Sequence, residues 1–148
     1  MSMTFIGPAG SCEFPWIQYA LLQDNVQHHF KHEKEPEHFR ELHRVAEALG
    51  GRVVTVSAAR LREELSQAQA LCIVPVEKLA ISPQTQAVLS VHDRQLEAPT
   101  APESPWRRLP WTVAEPRLLG DIFGNLVAGL LDITRGAGES DLVEIIDG

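Results

Sequence analysis

Apolar residues fall along this chain in two rhythms: short runs that suit strands and spaced stripes that suit helices. Thr4-Phe5-Ile6 reads as a strand, broken by Gly7-Pro8-Ala9-Gly10. Gly10 tolerates a positive φ, and Ser11 is placed to cap the element that follows. The spacing of Trp16, Ile17, Ala20 and Leu21 predicts a helix over Phe14 to Gln23, with Pro15 in its first turn. Asp24 to Glu35 is polar and shows little period. A second helix is expected from Pro36, with Phe39, Leu42, Val45, Ala46 and Leu49 as its stripe and Gly50-Gly51 as its end. Val53, Val54 and Val56 make a strand, and Ser57 caps a third helix burying Leu61, Leu65 and Ala68. Leu71 to Val76 is a continuous apolar run bounded by Pro75, the pattern of a buried parallel strand.

Ser82-Pro83 starts a short helix through Leu89. Pro99, Pro102 and Pro105 make Glu97 to Pro105 extended, within a Pro-rich loop at 97–110. Trp111-Thr112-Val113 is a candidate strand. A long helix after Pro116 buries Leu118, Leu119, Ile122, Leu126, Leu130 and Leu131, and Gly136 and Gly138 end it. Leu142 to Ile146 is the last strand. Strands alternating with helices predict one α/β domain over residues 1–148. Its expected architecture is a single lobe of three layers, a mostly parallel sheet with helices on both faces. Phe5, Val54 and Ile73 should lie on neighbouring strands, and the unit from Val53 to Val76 should be right-handed.

Composition narrows the partners. The 148 residues are 44% hydrophobic and 22% charged, enough apolar material for one core. The formal net charge of −7 opposes a nucleic-acid or anionic-membrane partner, since phosphate attraction needs surplus Lys and Arg. Leu118 to Ile133 contains Asp121 and Asp132 and is too short to span a bilayer. The N-terminal Met-Ser-Met-Thr-Phe-Ile-Gly-Pro has neither a basic start nor a long apolar run, so no signal peptide is expected. Cys12 and Cys72 are expected as free thiols in a reducing cytoplasm.

Candidate chemistry is thin. His28, His29, His32, His38 and His43 crowd one segment, and His28 and His32 have the i, i+4 spacing of zinc ligands. No Glu or Cys pair completes a site, and Lys31 and Lys34 would repel a cation, so a solvated polar face is expected and no metal. Cys12 has no local nucleophile signature, and Cys72 falls in the apolar run as core. Trp106 and Trp111 stand beside Arg107 and Arg108, a composition that suits either an interface or a loop pinned to the domain. The Gly7-Pro8-Ala9-Gly10-Ser11 turn, read as strand-to-helix, would expose backbone N–H groups to a carboxylate or phosphate.

Two segments carry a resemblance. Phe5-Ile6-Gly7-Pro8-Ala9-Gly10-Ser11, followed by Gln18-Tyr19-Ala20, resembles the opening of prephenate dehydratases, a strand, a Gly-Pro-x-Gly-Thr/Ser turn and a helix. Ala70-Leu71-Cys72-Ile73-Val74-Pro75-Val76-Glu77 is similar to that family's Val-Pro-Ile-Glu-Asn element at a strand end. The segments lie about twenty residues further apart than the family pattern implies, an insertion the His-rich stretch and the Pro36 helix would account for. The resemblance implies a two-lobed, periplasmic-binding-protein-like fold with substrate in the cleft, here truncated to the first lobe. It assigns Ser11 to the turn hydroxyl and Glu77 to the acidic position, with Lys78 in place of Asn. The family's Thr-Arg-Phe element falls at Ser140-Asp141-Leu142, where Asp141 repels a carboxylate that Arg would hold.

The expectation is a non-catalytic accessory protein that binds a peptide, a protein partner or a small-molecule substrate for a biosynthetic pathway. The binding surface is expected at the C-terminal ends of the first and third strands, through Gly10, Ser11, Phe14, Trp16, Glu77 and Lys78. No cofactor is expected, and a homodimer stays open. Two other readings stand beside it: a bacterial immunity-type protein that inhibits a toxin through acidic patches, and a small prephenate-processing, decarboxylating enzyme using Glu77.

Overall fold

The computed structural model describes residues 2–30, 39–95, 109, 111–112 and 115–147, with backbone alone at 90–95. The elements are β1 (Ser2–Gly7), β2 (Gly10–Pro15), α1 (Trp16–His29), α2 (Arg40–Arg44), β3 (Val54–Ser57), α3 (Ala58–Ala68), α4 (Pro83–Gln95), α5 (Gly120–Ile133) and β4 (Leu142–Asp147). Single 3-10 turns lie at Val45–Gly50, Gln69–Ile73 and Val76–Lys78. The strands form one sheet, β2-β1-β4-β3, in which every neighbouring pair is antiparallel. The domain is α/β, but the mostly parallel three-layer sheet expected from the sequence is not formed.

Two local features produce the difference. The first is the opening turn. Gly7 pairs with Gly10 across a hairpin whose connection is Pro8-Ala9, so Ser11 lies in β2 and caps no helix. Cys12 and Phe14 sit opposite Phe5 and Met3, a period of two rather than the start of a helix. The turn is docked on the end of α5: the Ala9 N–H donates to the Ile133 carbonyl at 2.9 Å. A Cβ on Gly7 would meet that same carbonyl oxygen at 2.5 Å, which is why glycine stands there. The helix expected from Phe14 therefore begins at Trp16, directly after Pro15. It runs on through Asp24 to His29, part of the stretch read as aperiodic. Asn25 is buried there and exchanges hydrogen bonds with Ala80. A helix that packs on several sides shows no clean apolar stripe.

The second feature is Leu71 to Val76, which is not a strand. It folds as the 3-10 turn Gln69–Ile73 followed by a short extended piece. Leu71 is buried, but Ile73 is 76% exposed. The extended piece pairs only briefly with the chain entering α5, through Val76 N–H to Arg117 O and Leu119 N–H to Val74 O. A short apolar run does not by itself distinguish strand from helix. Without this strand there is no right-handed strand–helix–strand unit. Phe5 and Val54 lie on strands separated by β4, and Ile73 lies on none.

Other elements fall close to expectation. Ser57 caps α3 by accepting from the Arg60 N–H at 3.3 Å. Ser82 Oγ accepts the Thr85 N–H at the start of α4, which extends past Leu89 to Gln95. The stripe Phe39, Leu42 and Val45 is buried, with a 3-10 turn in place of the helix end and Gly51 at φ +80° closing it. Pro36 lies outside the described residues. Of the stripe expected around α5, Leu119, Ile122, Leu126 and Leu130 are buried, Leu131 is partly buried and Leu118 is 39% exposed. Trp111-Thr112 is a turn rather than a strand, and Val113 lies outside the described residues, as do 97–108 and Pro110 of the Pro-rich loop.

The core forms on one face of the sheet. Met3, Phe5, Val54, Val56, Val143 and Ile145 are buried against the helices. Gly120 and Gly124 let Cys72 approach one side of α5, and Gly129, half a turn round the helix, lets Phe14 and Cys12 approach the other. Glycine costs a helix interior about 1 kcal/mol each. The close approach explains the cost: a Cβ on Gly129 would stand 2.6 Å from the Phe14 ring, and one on Gly120 2.8 Å from Cys72 O.

Candidate functional site

Between α1, α4 and the turn after α2 lies a cavity of about 230 Å³. Helix α1 supplies Trp16, Ala20, Gln23 and Gln27, spaced so that they share one helix face. Asp24 and Tyr19 flank that face, Ser82, Thr85 and Val88 come from α4 and its cap, and His43 and Ala46 close the third side.

Each wall is held by hydrogen bonds. Tyr19 Oη donates to the Leu42 carbonyl at 2.7 Å, tying α1 to α2. Burial pushes the Tyr19 phenol well above its ordinary range, so this proton stays in place. Asp24 Oδ2 accepts the Ser82 N–H at 3.0 Å, and Ser82 Oγ donates to Thr85 Oγ1 at 3.0 Å. These bonds fix the start of α4 against α1. The Trp16 and Tyr19 rings lie 5.4 Å apart at a tilt of 35°. Gln23 Nε2 stands 2.9 Å from His43 Nδ1, while Gln23 Oε1 is buried without a hydrogen-bond partner. The result is an apolar pocket with a small set of placed polar groups, the usual make-up of a ligand site.

Of the residues expected to form the binding surface, Trp16 alone lines this cavity, joined there by His43 of the histidine cluster. Phe14 borders a shallow depression at the sheet edge with Ser2, Glu13 and Pro15. Gly10 and Ser11 are at the hairpin, beside the C-terminal end of α5. Glu77 and Lys78 are in the 3-10 turn by its N-terminal end, where the Lys78 carbonyl lies 3.1 Å from His29 Nε2. The 14 residues of α5 span about 21 Å between them. The surface expected to unite Ser11 with Glu77 is therefore not formed, because the strand meant to carry Glu77 is absent. Asp141 accepts the Gly138 N–H at 2.8 Å and shapes the turn into β4.

The remaining candidates resolve into structure. His28 and His29 meet edge to face at 4.9 Å; His32 and His38 lie outside the described residues. Among the described residues no group of three His, Cys, Asp or Glu side chains converges for a metal. Trp111 Nε1 donates to the Ile122 carbonyl and pins its turn to α5; Trp106, Arg107 and Arg108 lie outside the described residues. Both cysteines are free thiols. Burial, with Asp132 adding to it, pushes the Cys12 thiol up to about 11, and burial raises Cys72 as well. Neither is poised as a thiolate nucleophile. No described helix is long and apolar enough to cross a membrane.

No protein-family model matches the chain, and neither a curated protein nor a solved structure is significantly similar to it. The prephenate dehydratase likeness thus stands on its short motifs, which the fold places at opposite ends of α5.

Proposed function

We propose that this chain is an accessory binding protein whose ligand site is the cavity walled by α1, α4 and the turn after α2. The observation that carries the reading is the cavity's construction: Trp16, Ala20, Ala46 and Val88 offer apolar contact, and Gln23, Asp24, His43, Ser82 and Thr85 offer polar groups held at fixed positions. Its volume of about 230 Å³ falls below the roughly 300–1,000 Å³ of drug-sized sites, so the occupant is a small molecule or one anchoring side chain of a peptide. The polar groups suit recognition. They are amides, hydroxyls, an imidazole facing an amide and a carboxylate already bonded to a backbone N–H. A role within a biosynthetic pathway, presenting a substrate to a separate enzyme, fits a site of this kind.

The test is a fragment screen read by backbone amide shifts, repeated on Ala46→Leu. Ala46 is only partly buried and lines the cavity, so a larger side chain there fills the space while leaving the core alone. Fragments that shift Ala20, Gln23 and Thr85 in the native chain should lose binding in Ala46→Leu at an unchanged melting temperature. Fragments that bind both equally would overturn the assignment.

A further inference from the structure

We infer that the cavity's ligand carries an organic ammonium group on an apolar body. This rests on the binding reading above and names the chemistry of the same site. The lining holds one carboxylate and one buried acceptor that lacks a donor. Asp24 brings a carboxylate, of which one oxygen accepts the Ser82 N–H, leaving further lone pairs open. Gln23 Oε1 is a buried acceptor without a donor, a state that carries an unmet desolvation cost. Two hydroxyl donors on the same walls are committed, Tyr19 Oη to Leu42 O and Ser82 Oγ to Thr85 Oγ1, while Gln27, Gln84 and the Thr85 hydroxyl also line the cavity as neutral donors.

Charge and aromatic character point the same way. Among the described residues lining the cavity, Asp24 is the one acid and there is no Lys or Arg. An anion would meet the Asp24 carboxylate with no cation to hold it. Trp16 and Tyr19 both line the cavity, and the π systems of aromatic rings attract ammonium groups. The chain's formal net charge of −7 favours the approach of a cation. Ile17, Ala20, Ala46 and Val88 accept hydrocarbon, which a hydrated metal ion lacks.

Three probes of matched shape separate the possibilities: phenethylamine, phenethyl alcohol and phenylacetate, titrated by calorimetry with amide shifts recorded in parallel. The ammonium should bind at least about fivefold tighter than the alcohol, the carboxylate weakest, with shifts at Gln23, Asp24 and Thr85. In Asp24→Asn, which keeps an acceptor for the Ser82 N–H and so the fold, the ammonium should lose that advantage while the alcohol is unchanged. If the alcohol or carboxylate binds as tightly as the ammonium at these same residues, the ligand class is overturned and the cavity remains a binding site. If none of the three moves these residues, the binding reading falls with it.

Discussion

The Glu64 carboxylate of α3 accepts the backbone N–H of Leu42 at 2.8 Å and that of Glu41 at 3.0 Å, capping α2 from a neighbouring helix. Helix α2 has no side-chain cap of its own: Phe39, which precedes it in the left-handed region at φ +60°, carries no side-chain acceptor. Glu41 in turn accepts the Ser57 N–H at 2.8 Å, joining α2 to the start of α3. Glu64→Ala strands two first-turn donors and should cost about 1–3 kcal/mol in urea unfolding.

The same residue sets a pH dependence. Burial raises the Glu64 carboxyl, and the two N–H bonds only partly offset it, with the nearby Glu41 charge adding to the rise. A carboxyl raised on folding favours the protonated form. Its contribution is fully present below the unfolded carboxylate range and is lost as pH rises through the folded value. Glu64→Gln should therefore gain stability relative to the native chain between acidic and neutral pH. Melting curves across that window check it, and a difference independent of pH would count against the assignment.

Arg62 should matter through the far end of α5. Its Nη1 donates to the Leu131 carbonyl at 2.6 Å and reaches Thr134 Oγ1 at 3.5 Å. A cation on the last carbonyls of a helix satisfies an orphan acceptor and complements the dipole. Arg62→Ala is expected to destabilise by about 1–2 kcal/mol, and Arg62→Lys to recover part of this. Chemical denaturation of the two variants reads the difference.

What the sequence makes legible follows from whether a pattern is locally sufficient. The α3 cap at Ser57, the start of α4 at Ser82-Pro83 and the centre of the α5 stripe, Ile122, Leu126 and Leu130, each belong to one element, and each is found where the spacing predicts it. Sheet topology is a different matter. The turn Gly7 to Gly10 suits either a hairpin or a strand-to-helix connection, and the docking of Ala9 on Ile133 decides between them. Ile73 sits in an apolar run yet faces solvent, because Cys72 beside it is taken into contact with Gly120 and Gly124. Of the cavity wall on α1, only Trp16 and Ala20 belong to the stripe the spacing marks, and Gln27 falls in the stretch that shows little period. Its other walls, His43 and Thr85, come from elements distant in sequence, and no local spacing brings them together.

Gly129 and Phe14 should behave as a coupled pair. Alanine normally stabilises a helix interior over glycine by about 1 kcal/mol. At Gly129 the new Cβ would stand 2.6 Å from the Phe14 ring, so Gly129→Ala should instead destabilise by about 1–3 kcal/mol. Phe14→Leu removes the ring edge, and the double variant should be more stable than the sum of the single changes predicts. A double-mutant cycle by urea denaturation measures the coupling, and additivity within about 0.5 kcal/mol would show that the two do not meet.

Cys12 gives the most direct chemical check on its corner of the fold. Its thiol is pushed up to about 11 from an ordinary value of 9.0, first by burial on α5 and then by the charge of Asp132. The thiolate is the reacting species, so at pH 8 its population, and with it the rate of alkylation by iodoacetamide, should be about a hundredfold below that of an unperturbed cysteine. The rate should climb about tenfold for each pH unit and level off only near 11, provided the fold persists. Asp132→Asn removes the second cause and leaves the first, so it should bring the midpoint down by less than the whole displacement. Asp132 is largely exposed and pairs with Arg135 at 2.9 Å, so the substitution should leave the core intact. Mass spectrometry of alkylation on Cys72→Ser isolates the Cys12 signal. A midpoint near 9 in the folded chain would mean that β2 does not pack its thiol against α5.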